Sequence, residues 1–277
     1  MGTQFLPQPD GILAYDVTGA GPLVICAPGM GDLRGEYRFL APRLAEAGYR
    51  AVTLDVRGHG ESSTRWPDYS VAGVGADLLA LARSLGASPA APAVIIGNSM
   101  AAGAAVWAAA EAPDLVAGLV LIDPFVRGDG SLPLKLLFSA FFARPWGPAA
   151  WLRYYTSLFP TRKPADFAAY SAALRGNLAR PGRLEALQQM MAAPKTASEQ
   201  RLGQVRAPVL VLMGSRDPDF KNPAVEAQWV ADQLHGDYKM IEGAGHYPFT
   251  EMPEITAPLI LSFLKTLQSA RVSDYAA

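Results

Sequence analysis

Short apolar runs rich in Val, Ile and Leu alternate with longer helical patterns along this chain, and that alternation constrains the fold more than any other feature. The runs lie at 11–17, 23–26, 51–54, 93–96, 119–122, 209–213 and 238–241, and the helical patterns at 37–47, 74–85, 100–110, 224–234 and 255–267. Continuous apolar runs of this length belong to strands buried on both faces, as in a parallel sheet covered by helices. Connections between such strands run right-handed. Gly48, Gly86 and Gly236 each follow a helical pattern, as glycines at helix C-termini do. The expected class is α/β, with a mostly parallel central sheet flanked by helices.

The alternation breaks once. Between residues 125 and 204 no convincing strand occurs, while Pro133, Pro148, Pro164 and Pro181 each stand near the start of a helical pattern. This predicts a helical cap domain over 125–204, inserted into a core domain formed by 1–124 and 205–277. The insert is rich in large apolar groups, including Phe138, Trp146, Trp151, Tyr155 and Tyr170. Most are expected to pack the insert's own small core, and some must face the sheet because the insert cannot close over itself. Thr196-Ala197-Ser198-Glu199 resembles a capping box that would start a last short helix before the chain re-enters the sheet.

A chain of 277 residues, half of them apolar, can bury a substantial core. Acidic and basic side chains nearly cancel, for a formal charge of -1, and no basic stripe is interleaved with aromatics, so nucleic acid is not an expected partner. Cys26 is the only cysteine, which rules out an intrachain disulfide, and the three histidines lack zinc-like spacing. Neither a metal nor a cofactor is expected. The first ten residues have no cationic region followed by an apolar core, and Leu6 fills the hydroxyl position of the myristoylation pattern. Apolar runs break well short of a membrane span. The expectation is a soluble cytoplasmic protein, with no membrane partner, that acts on a small molecule.

Ser99 carries the chemistry. It stands in Gly97-Asn98-Ser99-Met100-Ala101, directly after the run 93–96 and before an alanine-rich helical pattern. A sharp strand-to-helix turn pushes such a side chain out of the sheet and demands small neighbours. The alternative is an ordinary helix N-cap, for which serine is also favoured. An activated serine needs a base held in one tautomer. His59 lies in a Gly-rich loop where an imidazole braces the turn, and His235 sits at a helix end beside Gly236. His246, in Gly243-Ala244-Gly245-His246-Tyr247 just past the last strand, is the candidate base. Asp217 follows the run 209–213 in Gly214-Ser215-Arg216-Asp217-Pro218 and is the candidate acid, on the sheet edge where sites of open α/β folds collect. Asp219 and Asp123 are its rivals, and a loop-starting Asx turn is the alternative role for Asp217. The oxyanion of an acyl-transfer intermediate needs two backbone donors. Met100 supplies one at a helix start, where N–H groups lack intrahelical partners. The second is assigned to Met30 in Ala27-Pro28-Gly29-Met30-Gly31-Asp32, against the alternative of an ordinary Gly-Pro turn.

These segments, together with Asp55-Val56-Arg57-Gly58-His59-Gly60-Glu61-Ser62, resemble the α/β-hydrolase superfamily in order as well as motif, along nearly the whole chain. Within it the chain resembles the capped esterase-like branch, whose helical insertion lies between the sixth and seventh strands. The resemblance implies a serine hydrolase that cleaves carboxylic esters through a Ser-His-Asp triad and an acyl-enzyme. The aromatic and Met content of the cap predicts an apolar pocket, with Phe125, Phe138, Trp146, Tyr155 and Tyr247 as candidate substrate contacts. Two departures stand out: Ala101 replaces the second glycine of the usual Gly-x-Ser-x-Gly, and Pro28 replaces a histidine that often braces the oxyanion loop. Serine at the elbow argues against dehalogenase and epoxide hydrolase chemistry. A carbon-carbon bond hydrolase, a perhydrolase, a lyase or acyltransferase, and a ligand receptor that retained the triad remain as alternatives.

Overall fold

The structure is a computed structural model and describes residues 2–128, 142 and 146–276, with side chains through Ala270. Strands β1 (Gln4–Gln8), β2 (Gly11–Thr18), β3 (Leu23–Ala27), β4 (Arg50–Asp55), β5 (Ala93–Asn98), β6 (Val116–Ile122), β7 (Val209–Gly214) and β8 (Asp237–Ile241) join in one sheet. Their order is β1-β2-β4-β3-β5-β6-β7-β8. The β1–β2 and β2–β4 pairs are antiparallel, and all others are parallel.

Period-two alternation assigns side chains to the two faces. Ile25, Ala27 and Ile95 point into one apolar cluster, whereas Val24, Cys26, Val94 and Ile96 point into the other. The first face is covered by helices α2 (Val71–Ser84) and α3 (Met100–Glu111), through residues such as Leu78 and Ala105. The second is covered by α1 (Leu40–Glu46) and, at the end of the chain, by Ile260 and Leu264. Ser70 caps α2 by accepting from Gly73 N, as a serine N-cap does.

Between β6 and β7 the described residues form no strand. They form α4 (Gly147–Ser157), α5 (Phe167–Ala179), α6 (Arg183–Ala192) and α7 (Thr196–Glu199). Helices α8 (Pro223–Gln233), α9 (Pro248–Glu251) and α10 (Pro253–Ala276) complete the chain. Phe142, Trp151, Tyr155, Phe159 and Tyr170 share one buried cluster with Tyr37 and Phe249 of the core, so among the described residues these rings pack against the core rather than into a small centre of their own, which corrects the expectation that most of them pack the insert's own core. No helix among the described residues is long and apolar enough to cross a membrane.

Two local expectations need correcting. Strand β1 was not anticipated, because Pro7 and the polar ends Gln4 and Gln8 break the apolar pattern; an edge strand tolerates proline, whose missing N–H is not needed by a neighbour. The helix at 196–199 forms, but without the capping-box bond: Lys195 occupies the N-cap position and no side chain caps it. Ser198 instead bonds the carbonyls of Val126 and Lys195, tying α7 to the chain leaving β6.

Candidate active site

Ser99 occupies the single residue between β5 and α3. Its φ of +57° and ψ of −124° are unusual for a non-glycine residue, and such backbone costs of order 1–3 kcal/mol that the surroundings must supply. Backbone bonds hold it there: Ser99 N donates to Ile122 O at 2.9 Å, and Ser99 O accepts from Ala102 N and Phe125 N, each at 3.1 Å. Although Ser99 stands at the N-cap position, its side chain accepts no capping bond. The helix-cap explanation of this serine therefore fails. A Cβ on Gly97 would lie 2.5 Å from the carbonyl oxygen of Ala101, so the tight packing of the elbow falls on Gly97. Ala101, the departure from the usual pattern, is fully buried without disturbing the turn.

His246 Nδ1 lies 2.6 Å from Asp217 Oδ2, which fixes the imidazole proton on Nδ1 and leaves Nε2 as the basic nitrogen. The loop is anchored from three sides. Asn98 Nδ2 donates to His246 O at 3.1 Å, His246 N donates to Leu158 O at 3.0 Å, and Gly245 N donates to Glu251 Oε2 at 2.7 Å. Burial pushes the Asp217 carboxyl up, but the charge and hydrogen bond of His246, with bonds from Asp219 and Asp123, hold it below the usual carboxylate range. Burial alone would depress His246; the charge and hydrogen bond of Asp217, then the charges of Asp219 and Asp32, carry it above the ordinary imidazole value.

The rival acids are both close. Asp219 Oδ2 is 3.9 Å from His246 Nδ1, and its backbone N–H donates to Asp217 Oδ1 at 2.9 Å. Asp219 itself accepts the Tyr154 hydroxyl. Asp123, with φ of +44°, accepts from Gly214 N at 2.9 Å through Oδ1. Burial, then the charge of Asp217, raise Asp123 well above the usual carboxylate range. Protonation of Asp123 would let its buried Oδ2, which otherwise lacks a partner, donate a hydrogen bond to Asp217. Asp123, Asp217 and His246 offer ligand atoms within 4.8 Å of one another. Two of these groups, His246 and Asp217, are joined by the 2.6 Å hydrogen bond.

The loop after β3 lies directly against the serine: a Cβ on Gly29 would come within 2.9 Å of Ser99 Cβ and 3.4 Å of its Oγ. Pro28 has no N–H, and Gly31 N donates to His59 Nε2 at 2.8 Å, so of this loop's amides those two are ruled out as oxyanion donors, and those of Gly29 and Met30 remain. His59 is a missed contributor. Burial lowers its pKa to about 4, so it is neutral, with Nδ1–H donating to Arg57 O at 3.0 Å and Nε2 accepting from Gly31. It braces the loop after β3 as well as its own turn. Met100, the other candidate donor, is buried at the first position of α3.

The candidate substrate contacts are scattered. The Phe125 ring is 5.9 Å from His246 and stacks on Phe220 at 4.8 Å. Tyr247 lies edge-on to His246 at 5.3 Å and is buried against Phe159. Tyr155 is buried and donates to Glu36 Oε2 at 2.9 Å, whereas Trp146 is 55% exposed. Phe138 lies outside the described residues. Two buried acids went unnoticed in the sequence: Asp32 Oδ1 accepts the Tyr170 hydroxyl at 2.5 Å, and Glu36 sits under Tyr155. Burial, reinforced for Asp32 by the charge of Glu36, raises the pKa of both. Their only signal was the alternation Asp32-x-Arg34-x-Glu36, which a solvated loop would share.

Residues 24–259 match the model of the alpha/beta hydrolase family. This chain belongs to that family. The hydrolase is 28% identical over 256 residues to 2-(acetamidomethylene)succinate hydrolase of Mesorhizobium japonicum, covering 89% of each chain. It is 29% identical over 265 residues to a putative non-heme bromoperoxidase of Mycobacterium tuberculosis, covering 93% of this chain and 99% of the relative. Among solved structures it is similar to a thermophilic esterase from Thermogutta terrifontis, with a TM-score of 0.80, 24% identity, and coverage of 96% and 99% of the two chains. At that identity the structural likeness speaks for the fold alone.

Proposed function

We propose that this hydrolase is a serine carboxylesterase acting on small apolar or aromatic esters. The carrying observation is a strained Ser99 whose hydroxyl caps nothing, on the same sheet edge as a His246–Asp217 pair at 2.6 Å. In the proposed reaction Ser99 Oγ attacks the ester carbonyl while His246 Nε2 takes its proton, and the Asp217 carboxylate stabilises the resulting imidazolium. The N–H groups of Met30 and Met100 hold the oxyanion. Collapse expels the alcohol, which takes the proton from His246. Water, deprotonated by the same nitrogen, then releases the acid and restores Ser99.

The segment 125–204 acts as a cap over a core of 1–124 and 205–277, and the rings of Phe125 and Phe220 beside His246 suit an apolar acyl or aromatic group. The acid groups around His246 disfavour an anionic substrate. Neither a metal nor a cofactor takes part. A single buried cysteine fits an enzyme of the cytoplasm. Perhydrolysis is the second reading, favoured by the bromoperoxidase name of one relative; it uses the same serine and differs in the nucleophile that clears the acyl-enzyme.

A panel of p-nitrophenyl esters of graded acyl length tests the proposal. Turnover of short apolar acyl groups that disappears in Ser99→Ala supports it. No ester turnover, a preference for charged acyl groups, or full activity in Ser99→Ala overturns it.

A further inference from the structure

Gly31 is gripped from both sides. Its N–H donates to His59 of the core at 2.8 Å, and its C=O accepts Trp151 Nε1–H of α4 at 3.2 Å. The indole also packs tightly against the backbone here: a Cβ on Gly31, whose φ is +75°, would fall 2.0 Å from Trp151 Cζ2 and 2.3 Å from Cε2. The next residue is held in the same way. Tyr170 of α5 donates its hydroxyl to Asp32 Oδ1 at 2.5 Å and lies 3.2 Å from Leu33 O, while Asp32 Oδ1 also accepts Leu33 N at 2.7 Å. Further along, Tyr155 bonds Glu36, and Arg38 forms a two-pronged pair with Asp166 at 2.6 and 2.9 Å. Side chains from one stretch of the helical segment, 151–170, thus meet residues 31–38 of the core.

We propose that the helical segment sets the oxyanion hole, with Trp151 and Tyr170 as positioning residues for the Met30 amide. This rests on the esterase reading, in which Met30 N–H is a donor. Gly31 has no side chain of its own to resist rotation, so the path of the loop that carries the Met30 N–H depends on what holds the two peptide groups that follow that amide. One of those holds comes from outside the core. When the segment lifts, Gly31 loses the Trp151 bond and Asp32 loses Tyr170, and the loop that carries the Met30 amide keeps only the His59 bond from the core. Seating of these helices and assembly of the hole are then one event, in which binding that closes the site also completes its catalytic geometry.

Trp151→Phe and Tyr170→Phe test this, because each keeps an aromatic ring and removes one donor. With a p-nitrophenyl ester, each is expected to lower kcat about tenfold, the effect of one net hydrogen bond, with KM within about twofold. A trifluoromethyl ketone, whose adduct on Ser99 places an oxyanion in the hole, should lose affinity by the same factor. Amide hydrogen exchange in peptides covering 29–33 should speed up in both variants while α4 and α5 keep wild-type protection. Unchanged exchange at 29–33 overturns the proposal, as does a loss confined to KM. If the wild-type protein turns over no ester and takes no ketone, the esterase reading falls, and the exchange measurement still decides whether these side chains hold the loop.

Discussion

Ser99 and the Met30 loop face each other across the site, yet they are held by different means. The serine side is built from backbone: Ser99 bonds Ile122, Ala102 and Phe125 through main-chain atoms, and the elbow closes because Gly97 has no side chain. The opposite side is built from side chains reaching in from distant elements, with His59 and Trp151 on the two peptide groups of Gly31 and Tyr170 on Asp32. A backbone-built wall keeps its shape as long as the sheet exists. A wall held by side chains can change with the seating of one helix, so on the proposed reading the serine is fixed and the Met30 half of the oxyanion hole is conditional.

The comparison breaks most severely at the serine. Ser99→Ala is expected to reduce ester turnover on the order of a million-fold without loss of fold, measured by kcat and thermal unfolding. Asp217→Asn should cost roughly ten-thousand-fold by leaving His246 in the wrong tautomer. The pH profile sharpens this. His246 must be neutral to act, and its pKa is raised by Asp217, so the acid limb of kcat/KM has its midpoint above the ordinary imidazole value. In Asp217→Asn the residual activity should show that limb at lower pH, and an unmoved limb would detach Asp217 from His246.

On the opposite wall, His59 gives a smaller effect, in stability. Its folded pKa of about 4 lies below the free value of 6.5, so the unfolded chain binds the extra proton first as pH falls. Stability from this group is full above pH 6.5 and declines toward pH 4, by about 3 kcal/mol in total. Urea unfolding across that window should show the slope in the wild type and its loss in His59→Gln, whose amide oxygen can still accept from Gly31. Smallest of all, Asp123→Asn keeps a donor toward Asp217 and an acceptor for Gly214 N. It should stay within about threefold of wild-type kcat, whereas Asp123→Ala, which leaves both unpaired, should fall about tenfold.

The same division decides what was legible in the sequence. Ser99, Asp217 and His246 each follow an apolar strand inside a Gly-containing turn, so local pattern and chain order were enough to single them out. Strands β3, β5, β6 and β7 were readable because burial on both faces writes itself as runs of Val, Ile and Leu, while β1, at the sheet edge with Pro7, was not. The supports of the loop after β3 leave no such trace. Asp32 and Glu36 look like loop acids until Tyr170 and Tyr155, more than a hundred positions away, are folded over them. Asn98, too, looks like a turn residue until its amide is seen to hold His246 O. Their meaning lies in long-range packing, which periodicity does not encode.

Labelling with a fluorophosphonate, followed by peptide mapping, tests the central claim most directly. The account predicts a single adduct per chain, on Ser99, formed rapidly in the wild type and absent from Ser99→Ala. A folded wild-type protein that stays unlabelled, or an adduct that persists in Ser99→Ala, would contradict it.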